Sequence, residues 1–160
     1  MKVKELMKST PLYCLPETNL GAAAESMWNG NCGFLPIVGT DGKVFGVVTD
    51  RDICIALGTR NRLPGDVTVS ELISSQKLFY CCPDDDVHVA LQAMQTGKVR
   101  RLPVISHSGT LVGIISMDDV LQKAQPMNAG VRPELSSDEV VQTYQAITTQ
   151  HEEIAAAAAA

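Results

Sequence analysis

Gly46-Val47-Val48-Thr49-Asp50-Arg51-Asp52 returns 67 residues later as Gly113-Ile114-Ile115-Ser116-Met117-Asp118-Asp119. Each copy reads as a glycine, two β-branched residues suited to a buried strand, a hydroxyl residue, and an aspartate three positions beyond it. That order predicts a strand running into the start of a helix. The same spacing pairs Pro36 with Pro103 and Pro16 with Pro83. A register sustained over so many positions means that the chain holds two copies of one unit.

Working outward, each unit reads α-β-α-β-β-α. Val3, Leu6 and Met7 have helical spacing, repeated by Val69, Leu72 and Ile73 at an offset of 66, so each copy begins with a short helix. Pro11 to Leu15 and its counterpart Leu78 to Cys82 read as short strands. Thr18 or Asn19 can cap a helix whose apolar face holds Leu20, Ala23, Ala24, Met27 and Trp28. Asp84 to Asp86 cap the matching helix of Val87, Ala90, Leu91 and Met94. The strands Phe34–Val38 and Leu102–Ile105 each contain a proline, which cannot donate to a ladder and so marks an edge or an interruption. Asp41-Gly42 and Ser108-Gly109 are hairpin turns leading to Val44–Val48 and Leu111–Ile115. The closing helices carry Ile53, Ala56 and Leu57, then Val120, Leu121 and Ala124.

The expected organisation is therefore repeat 1 over residues 1–58, a linker over 59–66, repeat 2 over 67–125, a second linker over 126–135 and a C-terminal helix over 136–160. In that helix Val140, Tyr144, Ile147, His151 and Ile154 alternate at spacings of four and three, a narrow seam suited to a partner helix. The terminal alanines favour helix and carry no chemistry.

Composition narrows the function. The 160 residues are 45% apolar and 19% charged, as in ordinary globular proteins, and two small repeats can share a core. A net charge of −5 argues against nucleic-acid binding, which needs clustered Lys and Arg. No apolar run is long enough for a membrane span, and Met1-Lys2-Val3-Lys4-Glu5 does not lead into a signal-peptide core, so a cytoplasmic protein is expected. The five cysteines show no metal spacing, and Cys81 and Cys82, adjacent on a strand, point to opposite faces. Acids at a helix start explain Asp84 to Asp86 without a metal. His88 and His107 lack repeat partners, and no nucleophile–base constellation forms around them, which disfavours an enzyme.

Thr49 with Asp52, and Ser116 with Asp119, carry two compatible readings. Ser/Thr-x-x-acid is a capping box that satisfies the orphan amides of a helix start. A helix start also favours a bound anion, and a carboxylate beside it can accept hydrogen bonds from the paired hydroxyls of a ribose.

Residues 1–125 resemble the CBS domain pair, or Bateman module. The likeness rests on Leu35-Pro36-Ile37-Val38 with the Gly46 stretch, and on Leu102-Pro103-Val104-Ile105 with the Gly113 stretch. The resemblance implies an α+β fold of tandem repeats packed with pseudo-twofold symmetry, and two clefts that take AMP, ADP, ATP or S-adenosylmethionine. It implies sensing without catalysis, with no cofactor. Asp52 and Asp119 would accept from ribose hydroxyls, Thr49 and Ser116 would meet ribose or phosphate, and the segments beginning near Thr10 and Lys77 would help enclose the base. Arg100 and Arg101 occupy positions that often face phosphate in this family; their counterparts Gly33 and Phe34 are uncharged, which leaves Arg51 as the candidate cation of the first copy. The partners expected are an adenosine-containing small molecule, a second copy in a homodimer, and a regulated protein that this sequence does not name. The competing reading is a structural dimerisation module with vestigial clefts.

Overall fold

The computed structural model describes residues 1–73, 77–127 and 133–149. His151, Ile154 and the terminal alanines lie outside that description. The element order is α1 (Leu20–Asn29), β1 (Phe34–Val38), β2 (Val44–Thr49), α2 (Asp50–Arg60), α3 (Val87–Gly97), β3 (Arg101–Ile105), β4 (Leu111–Ser116), α4 (Met117–Leu121) and α5 (Ser137–Thr148), with single 3-10 turns at Val3–Glu5, Pro64–Asp66 and Val69–Glu71. The α+β repeat pattern is thus present in both copies.

The chain forms two compact units that do not coincide with the two sequence copies. One takes its residues from Met1–Ser9, Phe79–Ile105 and Val112–Ala160, the other from Thr10–Leu78 and Ser106–Leu111. The opening turn of each copy has been exchanged. Val3 and Leu6 are buried among Val87, Ala90, Leu102 and Ile115. In the other unit Val67 and Val69 are buried among Leu20, Leu35, Ile37 and Val48. Matching backbone bonds pin the two turns: Val3 and Lys4 donate to Asp85 and Pro83 carbonyls at 3.0 and 2.9 Å, while Val69 and Ser70 donate to Thr18 and Pro16 at 2.8 and 3.0 Å. These segments are shorter than the helices expected, with one 3-10 turn each.

Within the second unit, β1 pairs with β2 antiparallel from Phe34↔Thr49 to Val38↔Val44, with a bulge between Ile37 and Val38. All five residues of β1 are buried. The expected strand Pro11–Leu15 reduces to one parallel bridge, in which Cys14 donates to the Pro36 carbonyl at 3.0 Å and accepts from Val38 at 2.9 Å. Prolines at either end lack the amide that would extend the pairing. Cys81 makes the same bridge, donating to Pro103 at 3.3 Å and accepting from Ile105 at 2.9 Å, and β3 pairs with β4. The prolines therefore stand where the sheet edge offers carbonyls to a neighbouring segment. Gly42 and Gly109 have φ of +79° and +88°, as the hairpin turns require.

Helix starts follow the local chemistry. Asn19 caps α1 through Ala22, Asp86 caps α3 through His88, and Ser136 forms a capping box with Glu139 at α5. The hydrogen bonds from His88, backbone first and then ring, pull the Asp86 carboxyl down to about 2. Two helices differ from expectation at their ends. α2 runs on to Arg60 before Asn61 turns left-handed. α4 stops at Leu121, leaving Ala124 outside it, because Pro126 pushes Gln125 out of helical geometry and into a bridge with Ser136.

The described part of the α5 seam meets a helix of its own unit: Val140, Thr143 and Ile147 are buried, Gln95 of α3 donates to Thr143 at 2.8 Å, and the Lys98 ammonium reaches the Ala146 carbonyl.

The repeated glycines allow the exchanged segments to cross the sheet. Lys8 donates to the Ile114 carbonyl at 2.9 Å and accepts from the Ile114 amide at 3.1 Å, so Met7 and Lys8 lie across Gly113. A Cβ at Gly113 would stand 2.9 Å from the Lys8 carbonyl oxygen and 2.7 Å from Met7 Sδ; one at Gly46 would meet only the Ile73 side chain, at 3.2 Å. Backbone cannot yield as a side-chain tip can. Gly113→Ala should therefore cost about 1–3 kcal/mol, the range of core overpacking, and Gly46→Ala distinctly less. Urea unfolding of both variants checks this; equal losses would contradict the crossing.

Candidate functional site: two hydroxyl–aspartate pairs

Both pairs fold into the same local structure. In one unit Thr49 ends β2 and caps α2. Asp52 Oδ2 accepts from the Thr49 amide at 2.9 Å and from Thr49 Oγ1 at 2.6 Å, and the Asp52 amide donates back to Oγ1 at 3.2 Å. In the other, Ser116 ends β4 and caps α4. Asp119 Oδ2 accepts from the Ser116 amide at 2.8 Å and from Ser116 Oγ, and the Asp119 amide donates to Oγ at 3.2 Å. The capping boxes read from sequence are thus formed in full.

Each box engages one carboxylate oxygen, Oδ2. The other is left to different partners. Asp119 Oδ1 lies 3.9 Å from Lys8 Nζ, with the aspartate side chain 10% exposed and the lysine 77%. The structure gives Asp52 Oδ1 no partner among the described residues, and Asp52 is exposed. The two sites thus share a scaffold and differ in burial and charge.

The residues flanking the boxes differ as well. The Met117 amide donates to the Arg100 carbonyl at 3.0 Å, and the Asp50 amide to the Gly33 carbonyl at 3.3 Å, so Arg100 and Gly33 hold equivalent places beside the two helix starts. Met117 stands in the register of Asp50, and Asp118 in that of Arg51. Gly33 is matched to Asp50: a Cβ there would lie 2.4 Å from the Asp50 carboxylate, a clash removed in the second copy by Met117. Arg100 is exposed and Arg101 half-buried. Neither is ion-paired among the described residues, but both are felt at Tyr144 of α5. Burial and then Asp118 push the Tyr144 hydroxyl's pKa up, and the two arginines pull it down.

Of the residues expected at the sites, Ser116, Asp119, Arg100 and Arg101 fall in one unit, and Thr49, Asp52, Thr10 and Lys77 in the other. Thr10 and Lys77 are exposed, and the hydrogen bonds of the Thr49–Asp52 box involve neither. Sequence reasoning missed Lys8 and Tyr144. The first belongs by sequence to the other copy, and the second was read as part of a seam.

α4 has five residues, too few for an appreciable macrodipole, so any anion at Ser116 must be met by side chains. His88 bridges two caps, with Nδ1 against Asp86 and Nε2 3.4 Å from Glu139 Oε1, an arrangement that ties α3 to α5. Burial pushes the Cys14 thiol up to about 11 and the Cys81 thiol up to about 12, so both are protonated, unreactive core residues at neutral pH. No three His, Cys, Asp or Glu side chains converge to hold a metal among the described residues. No helix among them is long and apolar enough to cross a membrane.

The family model of the CBS domain matches this chain twice, over residues 3–59 and 66–125. The chain belongs to the CBS domain family. Hypoxic response protein 1 of Mycobacterium tuberculosis is 37% identical to it over 101 residues, which cover 63% of this chain and 69% of that one. A solved structure of Hypoxic Response Protein I with two coordinated zinc ions superposes with a TM-score of 0.71 at 30% identity, covering 78% of this chain and all of that one. The CBS domain pair of protein MJ0100, solved with 5′-methylthioadenosine and S-adenosyl-L-methionine, gives a TM-score of 0.67 at 27% identity over 76% of this chain and 98% of that one.

Proposed function

We propose that this chain is a regulatory sensor whose Asp52 and Asp119 each hold the ribose of an adenosine-containing ligand, AMP, ADP, ATP or S-adenosylmethionine, and that occupancy is signalled to a separate protein in the cytoplasm. One observation carries the reading: each capping box engages Oδ2 and leaves Oδ1 of an oriented carboxylate for a hydroxyl donor. The adenosine ligands held by the MJ0100 pair support it. Thr49 and Ser116 lie beside the ribose, Thr10 and Lys77 contribute to the base side, and Arg100 and Arg101 supply phosphate charge at the second site only. Guanidinium forks suit phosphate oxygens, and bonds to charged groups are about twice as strong as neutral ones. The competing reading, a structural module with vestigial sites, draws on the same boxes, because capping alone accounts for all four residues.

Calorimetry separates the two. Asp119→Ala should weaken adenosine binding at that site by about 1.5–3 kcal/mol, the worth of a hydrogen bond to a charged group, and Asp52→Ala should do so at the other. Arg100→Ala with Arg101→Ala should remove most of the preference for phosphorylated ligands while keeping adenosine binding. Unchanged binding with lowered melting temperature would leave only the caps.

We also propose a homodimer. The described part of the α5 seam packs on α3, and the supporting feature is Trp28, which the sequence pattern puts on the apolar face of α1 but which is 86% exposed. Light scattering should give a dimer for the parent and a monomer for Trp28→Glu; a monomeric parent at micromolar concentration would remove the proposal.

A further inference from the structure

We infer that Lys8 is the resting counter-ion of Asp119 and turns to the ligand's phosphate when a ribose takes Asp119 Oδ1, which makes it a specificity residue for anionic ligands at the second site. The inference rests on the ribose reading proposed above.

The backbone of Lys8 is fixed by its two hydrogen bonds to Ile114, two residues before Ser116. Its side chain therefore starts from a defined point beside the site. The ammonium is not locked there: at 3.9 Å from Oδ1 it is beyond hydrogen-bond distance, and at 77% exposure it stays hydrated on a flexible stem. With only the lysine end in solvent and no hydrogen bond between the two groups, the ammonium is cheaply redirected. Oδ2 cannot turn toward Lys8 without breaking the Ser116 box. A ribose hydroxyl that donates to Oδ1 thus competes with the ammonium for one oxygen. The displaced cation remains within reach of the same ligand's 5′-substituent.

Charge around the two sites makes this particular to the second. There Lys8, Arg100 and Arg101 stand against Asp118 and Asp119. At the first, Ile73 takes the place of Met7 over Gly46, the residue that follows it in sequence is the neutral Ser74, and the positions of Arg100 and Arg101 are held by Gly33 and Phe34. Since α4 is too short to supply an anion-binding dipole, a phosphate beside Ser116 depends on these side chains.

The test titrates adenosine and AMP into the full chain carrying Asp52→Ala, which silences the first site, with Lys8 intact, as Lys8→Met and as Lys8→Arg. The expected result is about a tenfold loss of AMP affinity in Lys8→Met, with adenosine binding unchanged or tighter and AMP binding restored in Lys8→Arg. AMP binding by Lys8→Met equal to that of the intact lysine overturns the inference while adenosine binding still supports the ribose reading. Equal losses for adenosine and AMP also overturn it, since they make Lys8 a structural residue. If the protein with Lys8 intact binds neither ligand, the ribose reading falls and this inference with it.

Discussion

The reciprocal hydrogen bonds between Lys8 and Ile114 exist only because Gly113 leaves room for a backbone to cross β4. Much else depends on that crossing. It carries Val3 and Leu6 into the core of Val87, Leu102 and Ile115, and it sets Lys8 beside the carboxylate that Ser116 orients. The mirrored arrangement, with Ile73 over Gly46 and Val69 buried among Leu20, Leu35 and Val48, shows the same solution reached in the other unit with a softer contact. The glycine that opens each repeated motif is thus a packing requirement, and the hydroxyl and aspartate that close it are a helix start. Neither end of the motif needs a ligand to explain it.

The proposed ribose contact draws on an imbalance within one side chain. A capping aspartate has two oxygens, and the box uses one. The Asp119 side chain is only 10% exposed, and a hydrogen bond to it gains from reduced competition with water. Asp52, by contrast, is an exposed residue. Together with Arg100 and Arg101, whose counterparts Gly33 and Phe34 are uncharged, this supports the proposal that the two sites differ in ligand or affinity although their boxes are nearly superposable in their distances.

Much of this was legible in the sequence because it is local. The helix starts at Asn19, Thr49, Asp86, Ser116 and Ser136 follow from side chains that reach amides two or three residues on, and the hairpins at Gly42 and Gly109 from backbone angles that glycine adopts freely. The exchange of the opening turns was not legible, for a physical reason. Val3 with Leu6 and Val69 with Leu72 present the same apolar pattern, so packing on one's own copy or on the other reads identically. The seam of α5 was visible, but a stripe does not name its neighbour, and Gln95 and Lys98, which meet its described part, belong to the same unit. Lys8 was hidden by the exchange itself, since its number places it in one copy and its fold places it in the other.

The claim on which the account turns is that the unengaged carboxylate oxygen takes ribose hydroxyls. The most direct measurement compares the affinity of the chain for adenosine with that for 2′,3′-dideoxyadenosine, which keeps the base and loses both donors. The account predicts a loss of about tenfold or more for the dideoxy compound, because a sheltered carboxylate oxygen goes without its partner. Equal affinities would contradict it, leaving Asp52 and Asp119 as helix caps and nothing more.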